Sequence, residues 1–357
     1  MICDMETLEA LVYGGAILGG GGGGSLQEGL RLSRLAVELG SPEIVSLTDV
    51  DPDKWVITVS AVGAPAGTHR FVSPMDYVRA VQKVADCLSG VVGGLIQSEM
   101  GGLNSANGLF QSAVLSIPVI DAPCNGRAHP IALMGSLGLH KIPQYRSIQA
   151  ACGGNPDEGR RVELLVEGDI NRCSALVREA SVQAGGMIAV ARNPLRAGDL
   201  KIRAAVGAVT ETIKLGRAFG EARQSGTSVE EAVARCLGGK IVAREKVARF
   251  ELATKGGFDV GRVMLTGDYE LMFWNEYMFL EAGGKRLYTF PDLIVTFDAA
   301  THLPVSTAQI AEGDEVFVIT TGNDHLILGE GMRDPDFYRR VEDAVERPIM
   351  SYVFKEG

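Results

Sequence analysis

Six consecutive glycines, residues 19–24, are the strongest constraint this sequence places on its fold. A segment without Cβ atoms enters backbone conformations closed to other residues and lets neighbouring chain come close, but it brings no side chains to a core. Before it, Thr7 can cap a helix running to about Leu18, with Glu9 in its first turn. After it, Ser25 can cap a second helix over residues 26–39. Two readings follow. The run is a hinge that lets two helices pack closely, or it is a cradle of free backbone N–H groups at a helix N-terminus that suits an anion. In the second reading Gly21, Gly22, Gly23 and Ser25 touch the substrate. The run is not a P-loop, because no lysine follows it, and it does not follow a strand as G-x-G-x-x-G does.

A second stretch, residues 117–130 (IPVIDAPCNGRAHP), has the residue types of a site. A short apolar run ends at Asp121, and the loop after it presents Cys124, Asn125, Arg127 and His129. An apolar run closed by Pro and Gly reads as a buried strand leaving a sheet. Open α/β sheets place ligands beyond the carboxyl ends of such strands. Upstream, residues 44–47, 55–61 and 91–97 read as strands, and Ser73-Pro74 starts a helix to about Leu88. The third strand ends in SEMGGLNS, residues 98–105, where Asn104 or Ser105 can cap a helix to Leu115. If the strands before Glu99 and Asp121 are parallel neighbours, the two carboxylates share one rim of the sheet. A further loop, residues 62–67, follows a strand end and is trailed by His69.

Beyond the loop, residues 130–139 read as a helix and 162–166 as a strand. Asp169 caps a helix to Ala184, and residues 187–192 form another strand. A long helix spans 200–222, and TSVE, residues 227–230, is a capping box for the next. The pattern changes near Gly238. Residues 240–253, 260–265, 270–280, 286–297 and 315–320 are β-rich and separated by Gly-Gly, Gly-Asp and Pro-Asp turns, as in a barrel or sandwich. A helix over 335–344 closes the chain. The expected fold is an α/β N-terminal domain with a mostly parallel sheet, residues 1–165, then a region 166–350. That region is α/β to about 238 and β-rich over 239–330.

Composition removes several functions. With 34 basic against 44 acidic residues the net charge is −10, and no basic run offers a phosphate footprint. Nucleic acid and anionic membrane surfaces are therefore not expected partners. The uncharged stretches 10–27 and 100–120 are interrupted by glycines or by Asn, Ser and Gln, so no membrane span is expected. The six cysteines are scattered without a C-x2-C pair and no signal peptide precedes them, which fits reduced thiols in a cytoplasmic protein.

Six motifs occur in a fixed order: LGGGGGGS (18–25), VGAP (62–65), EMGGLNS (99–105), DAPCNGRAHP (121–130), WNE (274–276) and FPDLI (290–294). Each alone is weak. As an ordered set over nearly the whole chain, they resemble the S-methyl thiohydantoin desulfurase-like family, long a domain of unknown function described loosely beside hydantoinases and oxoprolinases. The resemblance implies an α/β domain followed by a β-barrel-like part, and hydrolysis of a five-membered thiohydantoin or hydantoin-type ring. Many members that it resembles carry GMGRAFPE in the loop. Here Cys124 and His129 replace other residues, and Ile131 stands where an acid is common.

Two mechanisms suit these residues. In the covalent one, a Cys124 thiolate displaces methanethiol from an S-methyl thiohydantoin, His129 is its base or counter-ion, Glu99 or Asp121 activates water, and Arg127 holds a substrate carboxylate. In the other, Asp121, Cys124 and His129, with Glu99, hold a divalent metal such as zinc, which supplies hydroxide. Asn104, Asn125, Asn275 and Glu276 complete the substrate contacts. The structural alternatives are plain. Asp121 caps a turn, Arg127 pairs with Glu99, Asn104 caps a helix, and Asn275-Glu276 is a strand-edge hydrogen-bonding device. A non-catalytic ligand-binding or partner subunit of a hydantoinase-type system is the other class of function. The glycine-rich surfaces and apolar strands also suit a homo-oligomer.

Overall fold

The computed structural model describes residues 1–64 and 69–354 and builds them around two sheets. The first sheet contains β1 (Ile44–Val45), β2 (Trp55–Gly63), β3 (Val92–Gln97), β4 (Val119–Ile120), β5 (Ser147–Gly153), β6 (Val162–Gly168) and β7 (Met187–Arg196). Their order is β1-β4-β3-β2-β7-β5-β6. The helices are α1 (Met5–Leu18), α2 (Leu26–Leu39), α3 (Pro74–Ala85), α4 (Leu109–Leu115), α5 (Ile170–Gln183), α6 (Leu200–Arg203), α7 (Ala208–Ser225), α8 (Val229–Cys236), α9 (Pro335–Val345) and α10 (Met350–Val353).

The first sheet is mixed. Strands β1, β4, β3 and β2 run parallel, whereas the β2–β7, β7–β5 and β5–β6 pairs are antiparallel. Connection length explains the division. Helices α3 and α4 carry the chain back between parallel strands, while residues 154–161 make only a short link that suits an antiparallel hairpin. Strands β3 and β4 are parallel neighbours, so the loops carrying Glu99 and Asp121 do leave one edge. Strand β7 lies between β2 and β5, so this sheet draws on chain well beyond residue 165.

Local chemistry redraws several helix limits. Asp4, not Thr7, caps α1 and accepts the Thr7 N–H at 2.9 Å. Ser25 caps α2 as expected, accepting the Glu28 N–H. The helix expected over 130–139 is a series of turns, because Leu137 and Gly138 both take positive φ, which ends a right-handed helix. The helix expected over 200–222 is broken before Ala208 by Gly207, whose φ is +87°.

The second sheet contains β8 (Lys240–Lys255), β9 (Phe258–Leu265), β10 (Tyr269–Trp274), β11 (Glu276–Ala282), β12 (Lys285–Thr289), β13 (Leu293–Asp298), β14 (Pro304–Val305) and β15 (Glu315–Thr321). Its order is β12-β11-β10-β9-β8-β15-β13-β14, and every pair is antiparallel. Strand β8 serves both halves. Residues 240–246 pair with β15 and residues 247–255 with β9, with an irregularity between Val247 and Arg249. The sheet turns over at that point, so Val263, Leu271 and Phe273 pack with Ile294, Val316 and Val318 of the other half. The result is sandwich-like and not a closed barrel, with β12 and β14 remaining as edges. Among the described residues no helix is long and apolar enough to cross a membrane.

The two parts share a core. Leu11, Ile17, Val209 and Phe219 of α1 and α7 pack in one cluster with Leu293, Phe297 and Phe317 of the second sheet. Glycines set the approach of α1 to α7. A Cβ on Gly216 would lie 1.7 Å from the Ala10 carbonyl oxygen, and one on Gly14 2.0 Å from that of Thr212. Gly220, one turn further along α7, meets nothing within 4 Å. Gly216→Ala is therefore expected to destabilise the protein by about 3 kcal/mol through overpacking. Gly220→Ala should stabilise it by roughly 0.5–1 kcal/mol through helix propensity. Denaturant unfolding of the two variants checks this, and shifts of the same sign would refute the close-contact account.

Candidate functional site

The glycine run is where the two sheets meet. Gly20, Gly21, Gly23 and Gly24 have positive φ, and the loop is bonded on both sides. The Gly20 carbonyl accepts the Tyr277 N–H at 2.8 Å, and that of Gly21 accepts the Thr307 N–H at 2.9 Å. On the other flank the Gly23 carbonyl accepts the N–H groups of Leu103 and Asn104 at 3.1 and 3.2 Å. A Cβ on Gly22 would lie 2.1 Å from Glu276 Oε1, and one on Gly23 2.5 Å from the Gly101 Cα. The absence of side chains thus lets a hairpin of the second sheet seat against the 99–105 loop of the first. Gly21 faces Tyr277 and Thr307, and Ser25 is occupied as a helix cap. Gly23 and Gly24 border a cavity.

That cavity, of about 70 Å³, also receives Glu99, Asn104, His129 and Glu276. Glu99 lies just past the carboxyl end of β3 and is fixed by two donors. Asn104 Nδ2 donates to Oε1 at 2.6 Å, and the His129 backbone N–H donates to Oε2 at 3.1 Å. Asn104 is not a helix cap, since α4 starts at Leu109 with Gly108 as its N-cap. Its Oδ1 instead accepts the Ala61 N–H at 3.0 Å, tying the loop to β2. The His129 Nε2 lies 3.4 Å from both the Ser98 carbonyl oxygen and Glu99 Oε2. Burial pushes the His129 pKa down, against the pull of Glu99, so the ring is neutral near pH 7.

Glu276 enters from the tip joining β10 to β11. Asn275 holds that tip with φ +59°, donating its N–H to the Asp259 carbonyl at 2.7 Å and accepting the Asp259 N–H on Oδ1 at 2.9 Å. Its own carbonyl accepts from Thr307 Oγ1 at 2.8 Å. The Glu276 carboxyl is buried, and its Oε2 has no hydrogen-bond partner. Burial, and then the charge of Glu99, push its pKa well above the ordinary 4.5; Arg127 and backbone hydrogen bonds from Gly23 and Glu276 itself oppose this.

Other residues singled out in the sequence are held elsewhere. Asp121 caps α7, accepting the Val209 N–H at 2.8 Å and the Thr210 hydroxyl at 2.5 Å. The Cys124 thiol is fully buried 3.4 Å from Thr58 Oγ1, does not border the cavity, and has its pKa pushed up to about 11 by burial. Arg127 does not pair with Glu99. Its Nε donates to the Ala128 carbonyl at 3.0 Å, and its Nη1 to those of Pro291 and Asp292 at 2.9 and 2.5 Å. The guanidinium also lies 4.7 Å from the Phe290 ring centre, so Arg127 joins the 121–130 loop to the FPDLI segment. Asn125 shapes the same loop, donating to the Arg127 carbonyl at 2.8 Å and accepting the Gly329 N–H at 3.3 Å. Of Asp121, Cys124 and His129, only His129 reaches the cavity. Among the described residues no group of three or more His, Cys, Asp or Glu side chains is arranged to hold a metal ion. His69 lies near Glu158 at 3.3 Å, half exposed. Val62, Gly63 and Ala64 border the cavity, whereas Pro65, Ala66 and Gly67 lie outside the described residues.

Three arginines not singled out in the sequence border the cavity, Arg70, Arg178 on α5 and Arg192 on β7. Arg192 left a signal, a lone charge in the otherwise apolar run MIAVARNP, residues 187–194. Arg178 left none, because an arginine in a helix ordinarily faces water. Its Nη1 donates to the Gly63 and Gly257 carbonyls at 3.2 and 3.0 Å, and its guanidinium stacks 4.2 Å from the Phe258 ring centre. Burial lowers the pKa of Arg178 and of Arg192, that of Arg178 to about 10.

Comparison with known proteins agrees with this architecture. An X-ray crystal structure of a protein from Chromobacterium violaceum is 21% identical and has a TM-score of 0.69 over 96% of each chain, a likeness of fold. No curated protein matches the chain. The model of the S-Me-THD-like N-terminal domain matches residues 6–156, and that of the C-terminal domain matches residues 169–330. With nearly the whole chain spanned by these two models, the protein belongs to the S-methyl thiohydantoin desulfurase-like (S-Me-THD-like) family.

Proposed function

We propose that the protein hydrolyses a small five-membered ring of thiohydantoin or hydantoin type, releasing a thiol when the ring carries an S-methyl group. One observation carries the reading: Glu99 and Glu276, from different sheets, border one small cavity in unlike surroundings. Carboxyl groups in unlike surroundings divide the roles of base and acid. The cavity, of about 70 Å³, is small and lined by several polar groups, which suits a small polar ring.

In this scheme Glu99, aimed by Asn104 and the His129 N–H, takes a proton from water as the water oxygen bonds to the ring carbon bearing sulfur. Glu276, kept protonated by burial, gives its proton to the adjacent ring nitrogen as the C=N bond opens. The tetrahedral carbon then forms a carbonyl. Its hydroxyl proton returns to Glu276, the C–S bond breaks, and the sulfur leaves as methanethiol with the proton held by Glu99. Both carboxyls end as they began. Neutral His129 supports Glu99 without neutralising it, and Cys124 takes no part.

Glu99→Gln and Glu276→Gln are each expected to lower kcat for methanethiol release from an S-methyl thiohydantoin by about 10²–10⁴-fold. Cys124→Ser should stay close to wild type in the same assay. Loss of turnover in Cys124→Ser would instead point to covalent catalysis, and stoichiometric zinc whose removal abolishes activity would point to a metal. Binding of the ring without turnover by the native protein would favour a ligand-binding subunit.

The same assignment sets a pH dependence of stability. A carboxyl whose pKa is raised on folding stabilises the folded state fully below its unfolded value, here 4.5, and that contribution is lost as pH rises toward the folded value. Glu276→Gln removes the titrating group. Its thermal midpoint should therefore exceed that of the wild type by a margin that widens as pH rises from 4.5. Midpoints that run parallel across pH would show that Glu276 is not held as an acid.

A further inference from the structure

The cavity wall carries positive charge that the hydrolytic scheme does not use. Arg192 is 2% exposed, yet it borders the cavity, and its Nε and Nη1 have no hydrogen-bond partner. Its cross-strand neighbours, Thr58 on β2 and Gln149 on β5, are neutral. The hydrogen bonds of Arg178 go to carbonyl oxygens, which orient a guanidinium without cancelling its charge. The nearby carboxyls do not supply the missing partner. Both oxygens of Glu99 are engaged by Asn104 and the His129 N–H, and Glu276 Oε2 has no hydrogen-bond partner, so it does not bond to either guanidinium. A buried guanidinium with open donors is costly unless an anion reaches it. In a chain with a net charge of −10 such a positive recess is a local arrangement and not a consequence of composition.

We infer that the ring substrate bears a carboxylate, that Arg192 receives it through its open N–H donors, and that Arg178 is the second cation of the same subsite. This rests on the ring-hydrolase reading and narrows it to anionic substrates. It also moves the carboxylate-holding role from Arg127, which does not border the cavity and whose Nε and Nη1 donate to main-chain carbonyls, to Arg192. Arg192 and Arg178 are then specificity-determining residues, with Glu99 and Glu276 left to the bond-making steps.

The test compares two probes, an S-methyl thiohydantoin with a carboxymethyl group on the ring and its neutral carboxamide counterpart. Each is assayed for thiol release and for binding by calorimetry with the full chain. The wild type is expected to favour the acid by at least ~100-fold in kcat/KM, as a site built around open donors rejects an analogue that cannot fill them. In Arg192→Gln that ratio should fall toward unity. Circular dichroism establishes folding, and if Arg192→Gln fails to fold, Arg178→Met decides by whether it keeps the preference. Equal use of acid and amide by the wild type, or an unchanged preference in the folded variant, overturns the inference while leaving the hydrolase reading in place. If neither probe is turned over but the acid alone binds, and Arg192→Gln abolishes that binding, the anion subsite stands and the hydrolase reading falls. Failure of the acid to bind at all overturns the subsite.

Discussion

The structure depends on close backbone approach at residues 19–24. With Cβ atoms absent, the loop between α1 and α2 fits between Gly101 and Leu103 on one side and Tyr277, Glu276 and Thr307 on the other. Its carbonyls are shared between those flanks, so one short segment fixes both sheets. The anion cradle that such a run suggests is only partly formed, because the carbonyls bond to protein and the following helix is capped by Ser25. What the run supplies is space, and Glu276 occupies it. Any side chain at Gly22 would collide with that carboxylate, so the position of the proposed acid and the composition of the loop are one constraint.

Around this junction the buried charges divide into two kinds. Arg127 is fully buried, but its hydrogen bonds to the Ala128, Pro291 and Asp292 carbonyls and its stacking on Phe290 make it a bracket between distant segments. Asp121 is its acidic counterpart, seated on the first N–H groups of α7. Arg192 and Glu276 keep donors and an acceptor without partners beside the cavity. Arg127 Nη2 is also unpaired, but away from the cavity, so it is the unpaired atoms bordering the cavity that mark where a ligand can complete the arrangement.

That distinction explains what was legible in the sequence. The parallel half of the first sheet, the common rim for the Glu99 and Asp121 loops, and the β-rich second part all follow from apolar runs and turn residues. Glu99, Asn104, His129 and Glu276 were found because each follows a strand end or a glycine-rich turn. The antiparallel strands β5 and β7 were harder to place, since a buried central strand reads as one apolar run in either direction. The turns at residues 130–138 were missed because their apolar residues match a helix, while the positive φ at Leu137 leaves no mark in composition. Arg178 was missed because which face of a helix is buried depends on what packs against it.

The loop 121–130 shows why a run of chemically capable residues was an incomplete guide. This segment has little regular structure, so its backbone cannot satisfy itself through a ladder or a helix. Long polar side chains must do that work, and Asp121, Asn125 and Arg127 do so by bonding main-chain groups of α7, of the loop itself and of the segment around Pro291. Cys124 and Ala122 fill the apolar interior beneath it. Only the end of the segment, His129 and Pro130, is carried to the cavity, where the His129 backbone N–H aims Glu99. Residues that build a rigid loop and residues that face a ligand are drawn from the same polar set, and what separates them is whether the protein has already used their hydrogen bonds.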